Sequence, residues 1–357
     1  MRQDSKKQDQ MKTFDRISRT AKYGFPKRRP SHPLLVIFHI TTRCNMACLH
    51  CADDVWGDPA NDLSLEEIAG FSLGLGVVES LALGGGEPFL RDDLAEICWL
   101  FAKNNKVGSI SIPSNGFAPE RIHRSVQSIL ECCPGLALNI MLSLDGFEET
   151  HDAIRRPGSF VKVMETATKL KELSKQNPNL SVSFNSTINN RNCAELPSLA
   201  RFVACEFQAR LEFNIIAGNP RDAALTVPPV NELQQTVHEL LNVSRRSPLR
   251  RLYNKVYQDV LLKANLESRQ VVPCRAGSLV CLVDANGDVR SCPVLPPVGN
   301  LRSKKFHEIW HGTEARKQFD TISNGNCSCN NDCFIRLSLM NYWRLPFMML
   351  HKIPERS

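Results

Sequence analysis

The sequence predicts an α/β protein: a parallel sheet, either doubly wound or closed part-way into a barrel, with a smaller cysteine-rich appendage. Three observations predict it. Short apolar runs alternate with longer amphipathic segments six times up to residue 216, the alternation stops at about residue 229, and after residue 270 the composition turns to Cys, Gly and Asn. Parallel strands cannot be joined by a tight turn, so a helix must return the chain to the same end of the sheet between successive strands.

The apolar runs are PLLVIFHI (33–40), SLAL (80–83), GSISIPS (108–114), LALNIMLSL (136–144), SVSFNSTI (181–188) and RLEFNII (210–216). Between them lie helix-like stretches: SLEEIAGFSLGL opens with Ser64 and Glu67 as a capping box, and SFVKVMETATKLKEL starts at Ser159. Residues 229–269 read as a helical linker, and VDANGDVRSC reads as a hairpin turning at Asn286 and Gly287. The expected division is a basic leader (1–30), a core (31–228), that linker, a cysteine-rich domain (270–335) and an apolar and basic tail (336–357).

Composition bounds the function. At 357 residues and 42% hydrophobic content the chain can bury a large core. The start has no apolar signal-peptide region and no run reaches eighteen apolar residues, so the fourteen cysteines are expected in a reducing cytoplasm rather than in a disulfide framework. Residues 1–30 hold ten Lys or Arg against three Asp, which accounts for the whole net charge of +7. That tail is expected to be solvated, and without a nucleic-acid-binding module beside it no nucleic-acid partner is expected.

Chemistry concentrates at HITTRCNMACLHCADD (39–54), where Cys44, Cys48 and Cys51 follow the end of the first predicted strand. Loops beyond the carboxyl ends of parallel strands carry the chemistry of α/β folds. Three thiolates at this spacing can hold three corners of a [4Fe-4S] cube with one iron open, or, with His39 or His50, a closed zinc site. The second run ends in Gly84, Gly85, Gly86, Glu87 and Pro88. Glycines there let a ligand approach the main chain, and Glu87 can pair with an ammonium group.

C-x3-C-x2-C after the first strand with Gly-Gly-Glu-Pro after the second resembles the radical S-adenosylmethionine superfamily. The resemblance implies a partial (β/α)6 TIM-like barrel in which the open iron chelates S-adenosylmethionine, reductive cleavage yields a 5′-deoxyadenosyl radical, and an external donor of the flavodoxin or ferredoxin type supplies the electron. It also implies roles: His50 toward the adenine, and Gly85, Gly86 and Glu87 toward the methionyl ammonium. Asn115 of PSNG, and Ser143 and Asp145 of SLDG, stand where a ribose or carboxylate is held, and Arg155 is a partner for the methionyl carboxylate. For Asp145 and Arg155 a turn or ion-pair role stands beside the ligand role.

The C-terminal segment resembles the SPASM or twitch domains that hold auxiliary [4Fe-4S] clusters. Its final cysteine cluster is shorter than the full pattern, and the region's six cysteines are too few for two fully ligated cubes, so one auxiliary cluster is expected. The expected ligands are Cys274, Cys292, Cys329 and Cys333, with Cys281 and Cys327 as alternatives and a zinc ribbon as the competing reading. Cys98, Cys132, Cys133, Cys193 and Cys205 lack metal spacing and are expected to be buried thiols. LSLMNYWRLPFMML (337–350) is expected to be a packed terminal helix, with a peripheral membrane contact or a substrate wall as the other readings.

The resulting expectation is a radical S-adenosylmethionine enzyme that abstracts a substrate hydrogen and completes an oxidation or modification with help from the auxiliary cluster. Its substrate is a peptide or a small molecule. The leader is too short for an independent peptide-binding fold, so a peptide substrate would bring a separate binding partner. A noncatalytic iron-sulfur or zinc scaffold is the alternative; a scaffold has no use for an ammonium site at Gly85, Gly86 and Glu87.

Overall fold

The computed structural model describes residues 29–51, 58–243, 248–267, 269–327 and 331–351. Six parallel strands stand in chain order: β1 (Leu35–Thr41), β2 (Ser80–Gly85), β3 (Ser109–Ser114), β4 (Ala137–Ser143), β5 (Leu180–Ile188) and β6 (Leu211–Ile215). The helices of the shell are α1 (Leu65–Leu75), α2 (Leu94–Asn105), α3 (Pro119–Cys132), α4 (Glu148–Ile154), α5 (Ser159–Gln176) and α6 (Leu196–Glu206). A doubly wound sheet reverses its strand order so that helices cover both faces. Here the order never reverses, so the crossovers keep to one side and the architecture is the partial (β/α)6 barrel.

Strand alternation decides which face is which. Val36, Phe38 and Ile40 of β1 are fully buried, and Phe38 meets Phe71 of α1 and Phe101 of α2 edge-on at 5.6 and 6.1 Å between ring centroids. Such pairs add about 0.5–1.5 kcal/mol each beyond the area they bury. Leu35, Ile37 and His39 alternate to the opposite, inner face and are only partly buried. The capping box at α1 forms as its spacing predicts: Ser64 Oγ accepts from Glu67 N, and the Glu67 carboxylate accepts from Ser64 N.

After α7 (Val230–Val243) and α8 (Pro248–Glu267) the chain returns to the sheet. β7 (Val280–Val283) pairs in parallel with β1, and the hairpin it forms with β8 (Asp288–Arg290) turns through Asn286 and Gly287. The short strand β9 (Gly299–Asn300) completes the edge, so the cysteine-rich segment extends the barrel sheet instead of standing apart. The helices α9 (Phe306–Trp310), α10 (Thr313–Ser323), α11 (Asp332–Met340) and α12 (Leu345–Leu350) follow. The boundary expected at 335/336 therefore falls inside α11, and the expected terminal helix is broken between Met340 and Leu345. Ile335, Leu339 and Leu345 join the main core, while Phe347 and Leu350 are exposed.

Packing begins before the expected end of the leader. Arg29 lies over the Trp310 ring at 4.3 Å and donates from Nε to Gly277 O, whereas residues 1–28 lie outside the described residues. Of the five cysteines expected to be buried thiols, Cys98, Cys133 and Cys193 are buried; Cys132 and Cys205 are exposed, being on the solvent side of their helices' ends. No helix among the described residues is long and apolar enough to cross a membrane.

Candidate active site

The loop carrying Cys44, Cys48 and Cys51 leaves the carboxyl end of β1 and is fixed from three sides. At its base, Asp62 accepts from Thr41 Oγ1 (2.7 Å), Thr42 Oγ1 (2.9 Å) and Thr42 N (3.1 Å). Arg91 donates from Nη1 to Ile40 O and Leu63 O, joining the strand end to the segment that bears Asp62. Further along, Leu49 N donates to Ile154 O at the end of α4, and Arg221 N donates to Cys51 O. Cys44 is exposed, Cys51 half-buried and Cys48 buried. Burial raises the Cys44 and Cys48 thiols above the ordinary cysteine value, a cost that binding a metal as thiolate offsets.

The glycines after β2 are required by this loop. Gly86 N donates to Thr41 O and Glu87 N to Arg43 O, and a Cβ at Gly85 or Gly86 would run into the carbonyl oxygens of Thr41 or Arg43. Gly85 also has φ of +116°. The close approach that needs glycine is thus made, on the Cβ side, by the cysteine loop's own backbone. Glu87 is 3% exposed and already committed on both oxygens: Oε1 accepts from Ser114 Oγ (3.0 Å) and Phe89 N (3.2 Å), Oε2 from Asn115 N (2.7 Å). Burial outweighs those donors and pushes its carboxyl up to about 7.

Across the mouth, Asn115 donates from Nδ2 to Asn45 Oδ1 (2.7 Å), tying the end of β3 to the cysteine loop. Asp145, after β4, is fully buried; Oδ1 accepts from Thr187 N (2.8 Å) and Ser186 Oγ (3.3 Å), and Oδ2 from Arg155 Nε (2.7 Å). Burial would raise its carboxyl, but Arg155 first and the two neighbouring histidines next hold it down at about 2. Arg155 Nη1 reaches Cys48 Sγ at 3.6 Å. His50 Nδ1 stands 3.6 Å from Asp145 Oδ2, and burial lowers the imidazole to about 4, so it is neutral at physiological pH. Ser143 is half-buried at the end of β4.

The barrel's inner face continues onto the hairpin. His39 Nδ1 lies 3.4 Å from Asp284 Oδ1, Arg290 Nε donates to Asp284 Oδ2, and these three with Thr41, Thr42, Asp58 and Pro293 line a cleft of about 630 Å³. The cleft thus lies between the base of the cysteine loop and the hairpin, and Pro293 in its lining is the residue after Cys292. Cys292 belongs to a small apolar cluster with Ala276, Val280, Ile322 and Phe334, against which Cys274 and Cys327 pack. Cys333 is exposed at the start of α11, beside Phe334, and Cys329 lies outside the described residues. Cys281, the other alternative ligand, is placed apart from these cysteines. In register with Val36, it is fully buried in the main core, on the opposite sheet face from Val280 and its Cys292 cluster.

Sequence reading missed Asp62, Arg91 and Asn45. Nothing local marks them, because each acts on a partner twenty or more residues away.

Comparison with known proteins agrees with this geometry. Residues 38–203 match the Radical SAM superfamily and residues 274–334 the SPASM iron-sulfur cluster-binding domain. The mycofactocin maturase MftC of Mycolicibacterium smegmatis is 26% identical over 84% of this chain and 76% of that protein. An AdoMet-dependent heme synthase of Methanosarcina barkeri is 24% identical over 79% of this chain and 83% of its own. Among solved structures, anSMEcpe with bound AdoMet superposes with a TM-score of 0.59 at 16% identity, covering 90% of this chain and 96% of that one. Streptococcus suis SuiB bound to S-adenosylmethionine gives 0.57 at 14%, covering 85% and 70%.

The two domains imply a [4Fe-4S] cluster with S-adenosylmethionine, and an auxiliary iron-sulfur cluster. The residues present fit both. Cys274, Cys292 and Cys327 meet at one small apolar cluster, and Cys44, Cys48 and Cys51 share one loop. The donor set is that of a cluster held by three cysteines with a position left for another ligand.

Proposed function

As the chain belongs to the radical SAM superfamily and carries a SPASM iron-sulfur domain, we propose that it is an enzyme that abstracts hydrogen from a polar substrate held in the cleft between the cysteine loop and the β7–β8 hairpin. The observation that carries this reading is the lining of the cleft, which takes in Thr41 and Thr42 at the base of the cysteine loop together with Asp284 and Arg290 of the hairpin. When bound, the barrel cluster and S-adenosylmethionine supply a 5′-deoxyadenosyl radical.

This chain's residues do the rest. Cys44, Cys48 and Cys51 hold the cluster, and Asp62, Arg91 and the Gly85–Gly86 contact keep their loop in place. Glu87 offers its remaining lone-pair capacity to the methionyl ammonium. Gly85 and Gly86 would stand beside the methionyl ammonium, Asn115 and Ser143 would hold the ribose, and His50, a neutral ring, would stand against the adenine. Asp145 orients Arg155. In the auxiliary segment Cys274, Cys292 and Cys333 are the ligands, with the fourth from Cys327 or Cys329. The polar lining of the cleft (His39, Asp58, Asp284, Arg290) supports a substrate with amide, hydroxyl or charged groups, such as a peptide segment.

The test is Cys292→Ala. Folded protein with its barrel iron retained is expected to cleave S-adenosylmethionine without completing product. Turnover of substrate at the original rate after loss of the auxiliary iron would reduce the segment to a structural cap.

A further inference from the structure

We propose that Arg155 is a positioning residue: it holds a fixed positive charge against the sulfur of Cys48 and so sets the potential at which a cluster on the Cys44–Cys51 loop accepts its electron. The inference rests on the reading of that loop as a cluster site.

Three observations carry it. Arg155 has a side chain only 7% exposed, and its fork is divided, with Nε on Asp145 Oδ2 at 2.7 Å and Nη1 toward Cys48 Sγ at 3.6 Å. The geometry is held by backbone at both ends, because Arg155 N donates to His151 O and the neighbouring Ile154 O accepts from Leu49 N, the residue after Cys48. Finally, Asp145 is itself satisfied by Thr187 N and Ser186 Oγ, so it is a built anchor that aims the guanidinium rather than a chance surface partner.

Arginine does not deprotonate, so the charge is permanent. One-electron reduction makes a cluster more negative, and a buried cation donating an N–H to a ligating sulfur favours that state; charge and hydrogen bonds to sulfur are what set cluster potentials. Arg155 lies between Asp145 and Cys48, so the cation is nearer the sulfur than the anion is.

The experiment is a redox titration of anaerobically reconstituted protein, followed by electron paramagnetic resonance without S-adenosylmethionine. The barrel signal is identified as the one lost in Cys44→Ala. In Arg155→Met the reduced-to-oxidised ratio at a fixed potential should fall about tenfold, which for a one-electron couple is a midpoint about 59 mV lower. Arg155→Lys, which keeps the charge but cannot serve both partners, should fall between. Arg155→Met also leaves Asp145 buried without its cation. If that variant does not retain iron, Asp145→Asn/Arg155→Gln replaces it, and its midpoint should still fall. An unchanged midpoint with full iron overturns the proposal. If calorimetry then finds S-adenosylmethionine bound more weakly, Arg155 is a ligand of its carboxylate instead. Wild-type protein that takes up no iron would overturn the reading of the loop itself, and iron analysis separates that failure from the other.

Discussion

Replacing Glu87 by Gln should change how stability depends on pH. Glu87 is buried, and its carboxyl is raised from 4.5 to about 7. Below about pH 4.5 the folded and unfolded chains both carry the proton, and the protein has its full stability with respect to this group. As pH rises toward 7 the unfolded chain ionises first while the buried group keeps its proton, so stability falls. Above the folded value the loss is complete, at about 3 kcal/mol from roughly 1.4 kcal/mol per pH unit. Gln does not titrate. Its amide should keep the Oε1 contacts with Ser114 and Phe89 but turn an N–H toward Asn115 N, where Oε2 now accepts at 2.7 Å. That mismatch costs about 1–3 kcal/mol at every pH. Urea unfolding of both proteins separates the two effects: between about pH 5 and about pH 8 the wild type should lose about 2–3 kcal/mol relative to the variant. Parallel profiles would refute the reasoning and mean that Glu87 titrates as a solvated carboxyl. A bound ammonium should ionise Glu87, so S-adenosylmethionine binding near neutrality is expected to release a proton, visible as a buffer-dependent heat.

Gly86→Ala should push the Arg43 carbonyl, and with it the cysteine loop, away from the end of β2, so barrel-cluster iron should fall while far-ultraviolet circular dichroism stays native; normal iron content would show that the loop has slack. Arg302 joins the auxiliary segment to the barrel by donating to the Glu67 carboxylate and to Asn61 O. Arg302→Ala should therefore speed hydrogen exchange at Leu63 N, which donates to Ala285 O across that joint, without changing exchange within β4; equal rates in the two proteins would make Arg302 a bystander.

Sequence alone determined the six-strand alternation, the capping box at Ser64 and Glu67, and the turn at Asn286 and Gly287. These depend on period and turn chemistry within a few residues. It also determined the thiol loop, since three cysteines within an eight-residue span after a strand end are a local pattern. Tertiary structure decided what depends on pairing distant segments. Strand periodicity cannot say which sheet edge accepts β7, so the union of the cysteine-rich segment with β1, and with it Cys281's place in the core, appears only in the folded chain. The break between Met340 and Leu345 was hidden because both pieces are apolar. The same holds for the site's electrostatics. Glu87 and Asp145 are both buried carboxylates at strand ends, yet one is raised to about 7 and the other held at about 2. The difference is Arg155, paired with Asp145, whose guanidinium also reaches a sulfur 107 residues away along the chain.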